Sequence, residues 1–265
     1  KLKKRPKNNP LIVHYHNHQN LKKDCIFNND FVKLYKKFCP GPITFILKKK
    51  INSRIKFMCR NKFNTIAVRF PKHKIIRSVL KNIHFPLAMP SANVSSHLSP
   101  ICAEDVSEEF KKKLKIIING GRSKIGIEST VIDLTGIPRI LRPGIIGPET
   151  IRNLLKIKMS FKSRNSQIKS PGMLKKHYSP GIPVYLNKSY ASDKVALITY
   201  GKKYKNKKNQ FNLSKNSNLK KAASNLFKTL RKIKKLKYKK INVVKIPYTG
   251  PGIAINDRLK RAAKK

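Results

Sequence analysis

Along this chain, short apolar runs alternate with stretches whose apolar residues recur every three or four positions. The runs predict strands at residues 9–18, 43–47, 65–69, 86–89, 115–119, 129–134 and 138–142. The helical spacing predicts helices at 30–38, 74–83 and 148–155, with Asn29 or Asp30 capping the first and Pro148 opening the last. Another helix is expected after Ser99-Pro100. Its acids Glu104, Asp105, Glu108 and Glu109 come early and the lysines at 111–113 late, as the helix dipole favours, so these acids serve structure rather than catalysis.

Beyond residue 183 the pattern resumes as strand 195–200, a Lys/Asn loop, helix 219–233, strand 241–246 and helix 254–263. Such alternation predicts a parallel sheet covered by helices, here a small Rossmann-like domain. Between the two patterned regions periodicity disappears into Lys, Ser, Asn and Gln, followed by Ser170-Pro171-Gly172-Met173 and His177-Tyr178-Ser179-Pro180. The expected organisation is therefore a catalytic α/β domain at 1–158, a linker at 159–182 and the small domain at 183–265. Within the linker, Met173, His177 and Tyr178 lie between prolines and are expected to dock on another surface.

Composition narrows the function classes. The 265 residues hold enough apolar side chains (39%) for a real core, and no apolar run is long enough to span a bilayer, so a soluble, cytoplasmic protein is expected. Lys and Arg number 62 against 11 Asp and Glu, a formal net charge of +51, which directs attention to nucleic acid or polyphosphate ligands. The lysines are spread through every segment, however, as a compositional bias would also produce. Cys25, Cys39, Cys59 and Cys102 show no Cys-x-x-Cys spacing, so neither a zinc site nor a disulfide framework is expected. The opening Lys-Leu-Lys-Lys-Arg-Pro lacks a signal-like apolar core and runs almost at once into a strand, so the sequence is expected to begin inside a domain.

The most informative stretch is 86–100, Pro-Leu-Ala-Met-Pro-Ser-Ala-Asn-Val-Ser-Ser-His-Leu-Ser-Pro. Pro90 should end the strand and leave Ser91 and Asn93 facing a cleft with short polar side chains that bring no charge. A solvated turn is the bland alternative. His14, His16 and His18 would share a strand face, yet no acid or thiol is spaced to complete a metal tetrahedron with them. Arg69 ends an apolar strand, where it must face either solvent or an anion. The loop 120–126 copies the front of a phosphate loop, but Ile127 and Glu128 stand where Lys and Ser/Thr would be required. The candidate cleft thus collects Lys3, Arg5, His14, Arg69, Arg142, Ser91, Ser99 and Ser129, with Glu128 and Asp133 as nearby acids. Paired-carboxylate and Ser-His-Asp chemistry are implausible for this set, whereas phosphoryl or nucleotidyl transfer suits it.

Seven motifs carry a resemblance: Lys3-x-Arg5-Pro6, Asn9-Pro10-Leu11-Ile12-Val13-His14, Pro40-Gly41-Pro42-Ile43-Thr44, Thr65-Ile66-Ala67-Val68-Arg69, Pro90-Ser91-Ala92-Asn93, Gly126-Ile127-Glu128-Ser129-Thr130-Val131 and Leu141-Arg142-Pro143-Gly144. Their order resembles the threonylcarbamoyl-AMP synthases of the YrdC-like family. The Ser170 and His177 motifs, with residues 252–263, resemble its longer two-domain branch. The resemblance implies a YrdC-like twisted, open mixed sheet with helices, followed by the Rossmann-like domain. It implies a nucleotidyltransferase that makes threonylcarbamoyl-adenylate and pyrophosphate from L-threonine, bicarbonate or CO₂, and ATP accompanied by Mg²⁺. The product would pass to a downstream threonylcarbamoyl transferase acting on tRNA adenosine.

Carried over residue by residue, the resemblance implies ATP contacts from Arg5, Asn9, Thr65, Ser91, Asn93, Ser99 and Arg142, with Asn93 orienting the Ser91 loop. Lys3 and Arg5 would be the catalytic basic pair over the phosphates. His14, Arg69, Ser129 and the backbone at Met89 would hold threonine, with Arg69 on its carboxylate. Tyr178 with His177 would close over ATP and exclude water from a hydrolysable anhydride. The family's opening strand and its Pro-Thr-Glu-Thr-Val-Tyr-Gly segment have no counterpart here, and that segment is expected to belong to a longer natural product. Two rivals stand beside this reading. One is a non-catalytic basic protein that binds double-stranded RNA or tRNA on the same fold; the other is a carbamoyl-adenylate-forming relative, which would lack the linker motifs.

Overall fold

The computed structural model describes residues 2–6, 9–55, 64–111, 113–157, 177–204 and 207–263. In chain order the first elements are β1 (Ile12–His14), α1 (His18–Leu21), β2 (Cys25–Ile26), α2 (Asn29–Phe38), β3 (Ile43–Lys49), β4 (Thr65–Arg69), α3 (Lys74–Asn82), β5 (Leu87–Ala88) and α4 (Ala103–Phe110). There follow β6 (Thr130–Asp133), β7 (Arg139–Arg142), α5 (Pro148–Leu155), β8 (Val184–Leu186), β9 (Val195–Thr199), β10 (Gln210–Asn212), α6 (Leu219–Lys235), β11 (Lys240–Val243) and α7 (Pro251–Ala262). Contacts group the chain into two compact units. One comprises Lys1–Arg5, Ser91–Glu128 and Lys175–Lys265, the other Pro6–Pro90 and Ser129–Leu174.

The second of these, the sheet unit, is built on a seven-stranded mixed sheet in the order β5-β1-β4-β3-β6-β7, with β2 paired to β3. Its β-branched strands fix two faces. Val13, Phe45, Leu47, Ile66, Val68 and Ile132 point to the main core, where Phe31 and Leu34 of α2 and Ile151 and Leu155 of α5 pack. Ile12, Ile46, Ala67 and Val131 form a smaller apolar patch on the other face. Asn28, one residue earlier than expected, caps α2 by accepting from the Phe31 N–H at 3.0 Å. Gly144 has no room for a side chain, because a Cβ there would come within 2.4 Å of the Thr130 nitrogen.

The other unit, the loop unit, carries an all-parallel four-stranded sheet in the order β10-β9-β11-β8. The buried stripe of α6, Ala222, Ala223, Leu226, Phe227, Leu230 and Ile233, follows the helical period. Together with the mixed sheet of the other unit, this is the expected α/β class with a Rossmann-like part.

Several local expectations change. The predicted strand at 9–18 is only β1, because its parallel partner β4 ends opposite it at Arg69. The chain then turns, and Asn17 caps α1 by accepting from the Asn20 N–H. The three histidines therefore part company. His14 stays on the sheet, His16 meets Arg77 at 3.1 Å, and the His18 ring lies 5.0 Å from that of Tyr35. No group of metal-ligating side chains exists among the described residues. Residues 115–119 are not a strand: Ile116 and Ile118 are 81% and 65% exposed, and no strand pairs with them among the described residues. The helix expected after Ser99-Pro100 starts at Ala103. The elements α1, β2, β8 and β10 were not anticipated. The Ser170-Pro171-Gly172-Met173 motif and most of the expected linker lie outside the described residues.

Candidate active site

In the sheet unit, strand register lines up the polar residues. His14 pairs with Arg69 across β1 and β4, Arg69 with Thr44 across β4 and β3, and Thr44 with Val131 across β3 and β6. Residues directly opposite one another share a face, so His14, Arg69 and Thr44 stand in one row at one edge of the sheet. Arg142 joins the row through an irregularity. Regular pairing beyond Ile132 with Ile140 would place Arg142 opposite Thr130, but a register shift at Val131/Ile132 sets it opposite Val131 instead. The extra residue turns Arg142 onto the face of Val131.

Ser129, just before β6, ties the row together. Its Oγ lies 2.7 Å from Thr44 Oγ1 and accepts from Arg142 Nη2 at 3.0 Å, while its carbonyl accepts from Arg142 Nε at 3.1 Å. Ser129, Thr44 and Arg142 are all buried, so the arginine is held by neutral acceptors in a place of low solvation. Burial, with the neighbouring Arg69 charge, pushes the His14 imidazole down to about 4, against the pull of backbone carbonyls at Ile12 and Leu87. His14 is therefore a neutral ring at physiological pH. The Met89 N–H already donates to Ile12 O at 3.0 Å, so any ligand contact there falls to its carbonyl or side chain. Thr65 stands at the opposite end of β4 from Arg69, about 13 Å along the strand, and Asn9 precedes the start of β1. These two are not brought to the row.

In the loop unit, Lys3 Nζ donates to the carbonyls of Ser91 and Asn93, and Lys3 O accepts from the Ser95 N–H at 2.8 Å. Asn93, 1% exposed, closes the loop on itself by donating to Val94 O at 2.8 Å and His97 O at 3.1 Å. Burial, then repulsion from Arg5, lowers the Lys3 ammonium to about 8, with Glu109 opposing. A cavity of about 190 Å³ beside this loop is lined by Ser91, Ser99, Ser123, Gly126, Glu128 and Phe227, among others. Ser99 donates its hydroxyl proton to Glu128 at 2.5 Å. Gly126, at φ +78°, permits this packing, since a Cβ would lie 2.5 Å from the Ser224 carbonyl oxygen of α6. Tyr178 is buried against Phe227, ring centroids 5.4 Å apart, and His177 stacks edge-on to it at 4.1 Å.

The structure thus gathers His14, Arg69, Ser129 and Arg142 in one unit, and Lys3, Ser91, Asn93, Ser99 and Tyr178 with its neighbour His177 in the other. Arg5 belongs to the latter and is close enough to Lys3 to depress its proton affinity. Sequence reasoning passed over Thr44, Phe227, Arg231 and Arg258 as site residues. The one available signal was Arg258 itself, which sits on the apolar stripe of α7 with Ile255, Leu259 and Ala262. Of the acids expected to serve structure, Glu109 holds His97 at 2.6 Å, Glu108 holds Lys235 at 2.6 Å and Asp105 holds Arg231 at 3.3 Å.

Comparison with known proteins places this geometry in context. A family model described as "Telomere recombination" matches residues 1–144, and one described as "Threonylcarbamoyl-AMP synthase, C-terminal domain" matches residues 146–264. The threonylcarbamoyl-AMP synthase of Pyrococcus abyssi is 32% identical over 283 residues, covering 98% of this chain and 82% of the relative. That of Bacillus subtilis is 31% identical over 281 residues, covering 98% and 81%. Among solved structures, the crystal structure of P. abyssi Sua5 complexed with L-threonine matches with a TM-score of 0.86 at 32% identity, covering 99% of this chain and 82% of that one.

Proposed function

Because the chain belongs to the threonylcarbamoyl-AMP synthase family, we propose that it condenses L-threonine, bicarbonate or CO₂, and ATP into threonylcarbamoyl-AMP and pyrophosphate. The relative solved with L-threonine supports a threonine site, and the row at the sheet edge suits one. The observation that carries this assignment is the alignment of Arg69 with neutral His14 on one side and the Ser129–Arg142 pair on the other. Arg69 would take the amino acid's carboxylate through its forked donors. His14, kept uncharged, can exchange hydrogen bonds with the ammonium or hydroxyl without repelling the amine that must become a nucleophile.

In the reaction the free threonine amine adds to the carbon of CO₂ and loses a proton, giving a carbamate. A carbamate oxygen then attacks the α-phosphorus of ATP, and the bond to the β-phosphate bridge breaks to release pyrophosphate. Such a nucleotidyl transfer asks the protein chiefly to hold the attacker in line and to stabilise charge on phosphate oxygens. Lys3 and Arg5 have the charge for that task, and the Ser91–Asn93 loop that Lys3 meets supplies neutral donors. Mg²⁺ would arrive with the nucleotide, held by phosphates and water. Tyr178 and His177 would exclude water from the mixed anhydride.

Incubation of the protein with ATP, bicarbonate and threonine, followed by chromatography for the adenylate, tests the proposal. Pyrophosphate release that does not depend on threonine would point instead to the carbamoyl-adenylate type of reaction, and no release at all would end the enzymatic reading. RNA retention that falls steeply with salt and is untouched by Arg69→Ala, without turnover, would favour the RNA-binding alternative.

A further inference from the structure

Arg258 of α7 is the largest fully buried side chain in the described structure, with no exposed surface. Removing a guanidinium from water costs several kcal/mol unless its partners are close and well aimed. Here Nε donates to Glu128 Oε2 at 3.0 Å, Nη1 donates to Asp257 Oδ2 at 3.1 Å, and the guanidinium carbon lies 5.5 Å from the centre of the Tyr178 ring. The other oxygen of Glu128 takes the Ser99 hydroxyl proton. A second arginine, Arg231 of α6, holds the backbone of the same serine. It donates from Nη2 to Leu98 O at 2.8 Å and from Nε to Ser99 O at 3.3 Å, and is itself paired with Asp105 at 3.3 Å.

We infer that Arg258 and Arg231 are positioning residues for the nucleotide pocket: two helices of the Rossmann-like part fix Glu128 and Ser99 so that the serine oxygen meets the nucleotide as an acceptor. The inference rests on the assignment of ATP to the cavity lined by Ser91, Ser99 and Glu128. A hydroxyl has one proton, and that of Ser99 is committed to Glu128, so only lone pairs of Ser99 remain for a ligand. An acceptor pair of this kind fits a ribose hydroxyl or an exocyclic amine and repels phosphate. Lys3 and Arg5 have the opposite character. Without Arg258 the carboxylate would lose the partner that holds its charge in place, and the serine proton would no longer be directed. The C-terminal part thereby acts on ATP without touching it.

Steady-state kinetics with ATP and threonine varied separately, together with calorimetric titration of ATP alone, provide the test. Arg258→Met is expected to raise the KM for ATP roughly ten- to a hundredfold, the scale of a displaced contact, with KM for threonine unchanged and kcat within a few-fold. Arg258→Lys should recover part of the loss. A structural role alone would lower the active fraction, and hence kcat, and leave KM where it was. An Arg258→Met protein with wild-type KM for ATP, or with both KM values raised together, overturns the inference. Should that variant fail to fold, Glu128→Gln, which turns an amide donor toward Ser99, must produce the same selective rise, and an unchanged KM for ATP refutes the proposal. Wild-type protein that does not bind ATP in the titration would instead remove the reading on which the inference rests.

Discussion

At the sheet edge, His14, Arg69 and Thr44 stand where strand register puts them, and Ser129 and Arg142 are buried and mutually bonded. In the loop unit, Ser91 is exposed, Asn93 organises the turn from within, and the groups that fix Ser99 and Glu128 come from residues more than a hundred positions away in the chain. The first arrangement is rigid because a ladder of backbone hydrogen bonds sets it. The second depends on a few charged side chains finding one another. A small, invariant ligand suits the first kind of site, and a larger one with separate base, sugar and phosphate parts suits the second.

The largest expected effects lie in the ladder-built row. Arg69→Ala should lower threonine-dependent pyrophosphate release by about 10²-fold or more, while ATP binding measured calorimetrically stays near wild type. A parallel loss of ATP affinity would mean that the two sets of residues do not divide the substrates as proposed. Next comes acid sensitivity. The His14 imidazole takes up its proton near 4 in the folded protein but near its ordinary 6.5 when unfolded, so the unfolded chain binds more protons between those values. Stability should therefore be full above 6.5 and fall by on the order of 3 kcal/mol as the pH drops to 4. Urea titrations across that range should show the fall, and His14→Asn should flatten it.

Gly144→Ala should cost roughly 1–3 kcal/mol in the same titrations, because the new methyl group would press on the Thr130 backbone beneath Ser129. The loop unit should respond more mildly. Since the Lys3 ammonium sits at about 8, ATP affinity should weaken several-fold between pH 7 and 9, and Lys3→Met should remove that dependence. Equal pH dependence in the variant would assign the effect to another group.

The ladder-built row was largely legible in the sequence. Short-range patterning fixed β4 and α5 to the residue, and the motifs ending β1 and preceding β6 named His14 and Ser129. What the pattern could not supply was depth. Residues 115–119 have the β-branched composition of a strand, but a strand also needs a neighbour, and sequence alone does not show whether a sheet edge is available. Thr65 shares a face with Arg69, yet periodicity says nothing about which end of a strand faces a ligand. Arg258 and Arg231 were missed for a related reason. In a chain with 62 basic residues an arginine on a helix reads as solvated; the apolar stripe around Arg258 argued otherwise, whereas for Arg231 only tertiary contact reveals the partners.

The shift in register at Val131/Ile132 makes Arg142 a matter of counting rather than of composition. Regular pairing of the whole strand would turn that guanidinium to the opposite side of the sheet, toward the apolar core, whereas deleting Leu141 would remove the irregularity and leave it still opposite Val131. A relative of this fold with one residue fewer in that strand could thus keep its arginine in the row, although a comparison of amino-acid identities column by column would show only a gap beside it.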